Sequence, residues 1–231
     1  HPVAHSFPTR RSSDLPVFSD VPRHYSRYGI APEWLGQSLA AAGQPDLVMV
    51  TSLMTYWYPG LAETISAIRS VFPKPPVVVG GIYATLCTAH ARAATGADEV
   101  VAGAGEASVL QLVETHTGVR LRPEIDPSDL ERQPYPALDL QNRIVYAPVL
   151  TAKGCPFSCD YCASRQLHPE RVLRRPESVF AEIRYWGTAY GVRDFAFYDD
   201  ALLVGAEKHA IPLFEMLCGL GEDIRLHTPN A

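Results

Sequence analysis

Short continuous apolar runs alternate with stretches whose apolar residues recur at helical spacing, and this alternation organises the chain from Pro32 onward. Pro32 falls at a first helical position, with Trp34, Leu35 and Leu39 on one face. Leu47–Ser52 is an unbroken apolar run, the pattern of a strand buried on both faces. Leu61, Ile65, Ile68 and Phe72 then repeat at helical intervals, and Pro76–Val79 predicts the next strand, stopped by Gly80-Gly81. A helix over 84–94, a short strand over 98–102 and a helix over 106–115 carrying Val109, Leu110 and Leu112 complete this series. Strands alternating with helices imply a parallel sheet with crossover helices.

The pattern lapses over 121–142, which is charged, rich in proline (Pro123, Pro127, Pro134, Pro136) and aperiodic, and reads as a connector. A second α/β series follows. It comprises a strand over 145–151, a helix over 176–190 burying Val179, Phe180, Ile183 and Trp186, and a strand over 194–198. A helix over 207–220 and a strand opening at 223–227 complete it. The expected organisation is an open parallel-sheet α/β domain of Rossmann-like type over 16–119, a connector over 120–144, and the first part of a second α/β domain over 145–231. The spacing of Val145, Asp194 and Asp223 suits a (β/α) barrel, which uses roughly 30 residues per unit.

His5–Leu15 reads HSFPTRRSSDL, which resembles a translated DNA-sequencing adapter, so residues 1–15 are set aside before the fold is considered. The natural start is therefore expected to lie outside this sequence, and the natural end beyond Ala231. Composition narrows the class. With 47% hydrophobic residues the chain can build cores. The formal charge is −5; Arg10 and Arg11 against Asp14 give the first 15 residues +1, leaving −6 on the rest. No basic face offsets that charge, which argues against a nucleic-acid binder. No run of 18 apolar residues occurs, so no membrane span is expected. Three of the five cysteines fall within eight residues, a metal-binding rather than a disulfide pattern, and the expected compartment is the reducing cytoplasm.

Those three are Cys155, Cys159 and Cys162, in Cys-Pro-Phe-Ser-Cys-Asp-Tyr-Cys. A cubane cluster takes one thiolate per iron, so three thiolates in one loop ligate three corners and leave a fourth iron open. Gly154 and Pro156 give the tight, side-chain-poor path that wraps an inorganic core. The loop follows a strand, where barrel enzymes place their chemistry. The competing chemistry is structural zinc, which wants four ligands in paired sets; His168 is a candidate fourth, but no second pair exists.

The C-x-x-x-C-x-aromatic-C pattern on a strand–loop–helix resembles the signature of the radical S-adenosylmethionine superfamily. The resemblance implies a [4Fe–4S] cluster on Cys155, Cys159 and Cys162, with Tyr161 beside the adenine of S-adenosylmethionine. Asp199 and Asp200, ending the second strand, stand where the superfamily binds the methionine amino group, and match its branch with an N-terminal cobalamin-type domain. A helix cap with a first-turn acid is the plain alternative for the pair. Pro229-Asn230 resembles the same branch.

The first domain resembles that branch in order and spacing. Ser52, in Ser52-Leu53-Met54, resembles the Ser-x-Leu element, while Gly80, Gly81, Gly103 and Gly105 are small residues at strand ends. There backbone amides can approach a ligand, and a helix N-terminus favours a nucleotide phosphate. The D-x-H-x-x-G motif whose histidine can ligate cobalt is absent from 16–45; Asp20 and His24 have the wrong spacing. Cobalamin binding is expected without that ligand. Tyr56-Trp57-Tyr58 is a candidate corrin platform, with core packing the commoner use of such a cluster. Cys87 and Cys218 read as buried structure, and His90, His168 and His227 as surface or capping residues.

The expected function is reductive cleavage of S-adenosylmethionine. A small-molecule substrate would undergo methyl transfer or rearrangement, with a flavodoxin- or ferredoxin-like electron donor as partner. Two alternatives remain: an RNA methylthiotransferase of the same superfamily, and a non-catalytic iron–sulfur or zinc module.

Overall fold

The computed structural model describes residues 4–5, 27–121, 126, 129–221 and 223–228. The chain divides into two compact units, His1–Arg120 and Leu121–Ala231.

In the first unit, α1 (Pro32–Ala41) leads to β1 (Val48–Thr51), α2 (Tyr58–Val71) and β2 (Val77–Gly80). Two short helices, α3 (Ile82–Leu86) and α4 (Thr88–Ala94), precede β3 (Glu99–Val100) and α5 (Gly105–Thr117). The strands form a parallel sheet in the order β1-β2-β3, with Val48 opposite Val77 and Val79 opposite Val100. The valine run of β2 is buried on both faces because it lies in the middle. β1 departs from the expectation: its burial alternates and Met49 is 46% exposed, because among the described residues it is an edge strand. Leu61, Ile65, Ile68 and Phe72 of the α2 segment pack with Val77, Val79 and Tyr83 as the periodicity predicted. Each such buried side chain contributes roughly 1.5–3 kcal/mol. Trp34 of α1, read on one face with Leu35 and Leu39, is 47% exposed.

The helix expected over 84–94 is broken. Cys87, at φ −128° and ψ 44°, leaves the helical region, and the Thr88 hydroxyl donates to the Ala84 carbonyl at 2.7 Å.

In the second unit, β4 (Ala147–Val149), β7 (Asp194–Phe197) and β8 (Arg225–His227) form a parallel sheet with β7 in the centre. Between β4 and β7 lie β5 (Ala152–Lys153), α6 (Ser164–Leu167), β6 (Val172–Leu173) and α7 (Pro176–Tyr190). β5 and β6 pair antiparallel, a two-residue ribbon that the sequence pattern did not show. α7 starts on Pro176 and ends on Gly191 at φ +68°, the left-handed cap that glycine adopts without strain. α8 (Ala210–Cys218) is shorter than predicted: the chain breaks at His209, φ −138° and ψ −77°, which turns inward. The core gathers Val149, Val179, Ile183, Trp186, Phe195, Phe197 and Leu213, together with Leu138 from the segment read as a connector.

Among the described residues no helix is long and apolar enough to cross a membrane.

Candidate functional site

Both sheets end in loops that carry the predicted site residues. In the second unit, β4 runs into Thr151, the β5 strand, Gly154 and then the cysteine loop. Gly154 sits at φ +87°, and a side chain there would collide with the Glu170 carbonyl just before β6. Glycine is therefore required where the ribbon pinches the base of the loop.

Cys155, Cys159 and Cys162 are all free thiols, the first half-buried and the others exposed. The Cys162 N–H donates to the Cys159 carbonyl at 3.1 Å, closing a turn between the last two. Ser164 attends Cys162, with its hydroxyl 3.3 Å from Sγ and its N–H donating to Sγ at 3.4 Å. These hydrogen bonds hold the Cys162 thiol below its ordinary pKa, against an opposing push from the nearby Asp200 charge. Tyr161 between them is 93% exposed.

The donor set suits a cubane. Three soft thiols share one loop, one of them already biased toward thiolate. Among the described residues no three His, Cys, Asp or Glu side chains converge on a single ion. Three thiolates on a cubane bind three different irons, whereas structural zinc wants four ligands on one ion.

The two aspartates at the end of β7 have different surroundings. Asp199 is 2% exposed and accepts hydrogen bonds from Thr151 and Ala152, while Asp200 is exposed. The helix-capping alternative fails, because turns over 201–205 follow the pair and the next α-helix starts at Ala210. His209, 2% exposed and 2.5 Å from Thr151 Oγ1 through Nε2, was not anticipated. Its signal was weak: a histidine between Lys208 and an apolar helix looks like an ordinary helix entry. Pro229-Asn230 lies outside the described residues.

In the first unit, Ser52, Gly80 and Gly81 meet at the C-terminal end of the parallel sheet, and Gly103 is tied to them through Thr85. Ser52 is buried; its N–H donates to Gly80 O at 3.3 Å, and its carbonyl accepts from Tyr83 N–H at 3.2 Å. Gly81 has φ +92°, and an added Cβ would lie 2.5 Å from Thr51 Oγ1 and 2.8 Å from Ser52 O. Thr85, missed in the sequence, links the two glycine loops: its hydroxyl donates to Gly81 O at 2.8 Å and accepts from Gly103 N–H at 3.0 Å. α5 begins at Gly105, and Glu106 in its first turn already offers that helix end a negative charge.

Tyr56 and Trp57 are 69% and 53% exposed, so they are not core residues. Tyr58 stacks on Tyr83, whose hydroxyl lies 2.7 Å from His90 Nδ1, so His90, exposed as expected, is also a bonded partner. Cys218, expected to be buried, is exposed at the last turn of α8. Asp20 and His24 lie outside the described residues.

Residues 36–113 match the B12 binding domain family. The chain is 26% identical to the anaerobic magnesium-protoporphyrin IX monomethyl ester cyclase of Cereibacter sphaeroides, over 79% of this chain and 35% of that protein. It is also 26% identical to an uncharacterized methyltransferase of Pyrococcus horikoshii, over 78% of this chain and 45% of that one. Among solved structures the fold matches the radical S-adenosylmethionine methyltransferase TsrM of Kitasatospora setae, with tryptophan substrate and a SAM analog bound. The TM-score is 0.63 at 19% identity, covering 84% of this chain and 45% of TsrM. A TsrM structure with cobalamin and a [4Fe–4S] cluster gives a TM-score of 0.62 at 18% identity, covering 84% and 46%.

The chain thus shares its fold with TsrM and is similar in sequence to the cyclase and to the uncharacterized methyltransferase over most of its length. The residues that match the B12 binding domain family, 36–113, lie ahead of the cysteine loop. It spans about a third to just under half the length of the curated relatives it matches.

Proposed function

We propose that the chain serves a cobalamin-dependent radical S-adenosylmethionine enzyme, with methyl transfer to a small molecule as the reaction class. One observation carries this reading: three free thiols lie in a single loop downstream of the C-terminal end of the parallel strand β4, in a chain that also matches the B12 binding domain family. The three parallel strands of the second unit read as the opening strands of a (β/α) barrel.

When bound, the cluster supplies an electron and an open iron for S-adenosylmethionine, and cobalamin supplies a methyl carrier. The protein holds these groups in place. Cys155, Cys159 and Cys162 present the thiolates, and Ser164 favours the ionised form of Cys162. Gly154 sets the tight exit from the ribbon, and Tyr161 stands free at the surface for the adenine. In the first unit, Ser52, Gly80, Gly81, Gly103 and Gly105 keep the sheet end clear of side chains, so a large ligand can meet backbone. An electron donor of flavodoxin or ferredoxin type is the partner that the chemistry demands.

The test is anaerobic reconstitution of the whole chain. About four irons and about four sulfides per chain are expected, together with retained cobalamin. Single Cys→Ser changes at 155, 159 or 162 should abolish the iron, and changes at Cys87 or Cys218 should spare it. One zinc without sulfide would sink the proposal.

A further inference from the structure

Asp199 and Asp200 are adjacent in sequence, and the fold assigns them to different environments. Asp199 Oδ1 accepts the Thr151 hydroxyl at 2.7 Å, the Ala152 N–H at 2.6 Å and the Thr151 N–H at 3.1 Å; Oδ2 lies 3.2 Å from that same Thr151 N–H. Thr151 is 0% exposed, and its Oγ1 is 2.5 Å from Nε2 of the buried His209. A hydroxyl has one proton, and Asp199 Oδ1 accepts it. His209 must therefore donate its Nε2–H to Thr151 Oγ1, which fixes the tautomer. Burial lowers the His209 pKa and favours the neutral ring that this arrangement uses. A directional chain of hydrogen bonds thus runs from the start of α8 through Thr151 to the end of β7.

What this chain holds is the exit of β4. The Thr151 and Ala152 amides lie where the backbone leaves the parallel sheet and enters the ribbon strand that leads through Gly154 to Cys155. Neither amide can satisfy itself in the β4–β7 ladder, and Asp199 takes both. Asp200, the next residue, is exposed at the end of β7.

We propose that Asp199 is a positioning residue, bracing the base of the cysteine loop from within through Thr151 and Ala152, and that Asp200 is the carboxylate of the pair free to meet the S-adenosylmethionine amino group. This rests on the functional reading above and divides between two residues a role expected of both.

The experiment compares wild type, Asp199→Asn, Asp200→Asn and Thr151→Val after anaerobic reconstitution of the full chain. The readouts are iron and sulfide content, S-adenosylmethionine affinity by equilibrium dialysis, and the electron paramagnetic resonance signal of the reduced cluster with and without S-adenosylmethionine. D200N should keep wild-type iron. It should lose about tenfold in affinity, the scale of one charge-assisted hydrogen bond, and lose the signal change that S-adenosylmethionine induces. D199N and T151V should take up less iron and show an altered signal before any S-adenosylmethionine is added, while affinity per loaded cluster stays within about twofold. T151V retains the carboxylate and both amides, so it reports on the brace even if D199N does not fold. The inference is overturned if D199N loads iron normally with an unchanged signal yet loses affinity, or if D200N binds as wild type does. A wild-type chain that takes up no iron overturns the functional reading and this division with it.

Discussion

Arg174 Nη1 lies 2.5 Å from Glu182 Oε2, and the two side chains are 11% and 3% exposed, so an ion pair is closed inside the second unit. The same Nη1 donates to Leu150 O at 3.0 Å, and the Arg174 N–H donates to Thr151 O at 2.8 Å. The pair therefore ties α7 to the end of β4, beside the residue that Asp199 braces. Burial pushes the Glu182 carboxyl up, and the Arg174 guanidinium offsets only part of that push.

Removing one partner should cost far more than removing both. Arg174→Met leaves a buried carboxylate alone and is expected to cost about 3–5 kcal/mol, whereas the double change Arg174→Met with Glu182→Leu should cost much less. Because the folded Glu182 pKa is raised, its contribution is fully present below the unfolded carboxyl pKa and is lost as pH rises through the folded value. R174M, with its partner charge gone, should lose stability more steeply than wild type as pH rises from the ordinary carboxyl range toward neutrality and above. Urea denaturation across that range measures both effects, and equal costs for R174M and the double variant would refute the account.

The Asp194–Arg225 pair has the opposite sign. Arg225 grips both carboxylate oxygens across β7 and β8, at 2.6 and 2.5 Å. These bonds lower the Asp194 pKa to about 2. A depressed carboxylate stabilises the fold above its unfolded pKa, and that stability is lost as pH falls through about 2. The stability gap between wild type and Asp194→Asn should therefore close on acidification toward that value. It should also shrink in high salt, because both partners are partly exposed. A gap independent of pH would count against the pair.

Ser164 offers a probe of the cysteine loop without its cluster. Ser164→Ala removes the hydroxyl beside Cys162 Sγ and keeps the N–H, so the Cys162 thiol should return toward its ordinary pKa. In cluster-free protein, iodoacetamide should then alkylate Cys162 more slowly near pH 8, with Cys159 unchanged as an internal control. Peptide mass spectrometry reads both rates, and equal slowing at the two cysteines would point to a general loop change instead.

Much of this architecture was legible because its determinants are local. The Val77–Val79 run, the spacing of Leu61, Ile65 and Ile68, and the three clustered cysteines each declare themselves within a few residues. The brace was not legible, because Asp199 reaches Thr151 across 48 positions and His209 reaches it across 58. Adjacent aspartates give no hint that one turns inward. Glu182 did carry a signal: it stands three residues after Val179 and four before Trp186, on the apolar stripe of α7, where a carboxylate must find a cation. The β5–β6 ribbon left none, since two-residue strands have no measurable periodicity.

Gly81 and Gly103 both have positive φ, at +92° and +89°, yet they should respond very differently to substitution. At Gly103 nothing lies within 4 Å of an added Cβ, so Gly103→Ala should cost only the backbone penalty, about 1–2 kcal/mol. At Gly81 the Cβ would meet Thr51 Oγ1 at 2.5 Å, Ser52 O at 2.8 Å and Ser52 N at 3.1 Å. The strain adds to displacement of the β1 end that carries Ser52, so Gly81→Ala should cost about 3 kcal/mol or more. It should also lower cobalamin retention, because Ser52 and the Gly81–Thr85–Gly103 links move together. Thr51→Ala should not rescue it, since two of the three close atoms are Ser52 backbone. Urea midpoints for the two glycine variants and the Gly81→Ala, Thr51→Ala double variant decide the matter: equal costs at the two glycines, or full rescue by Thr51→Ala, would show that the close packing of β1 against Gly81 is not what demands glycine there.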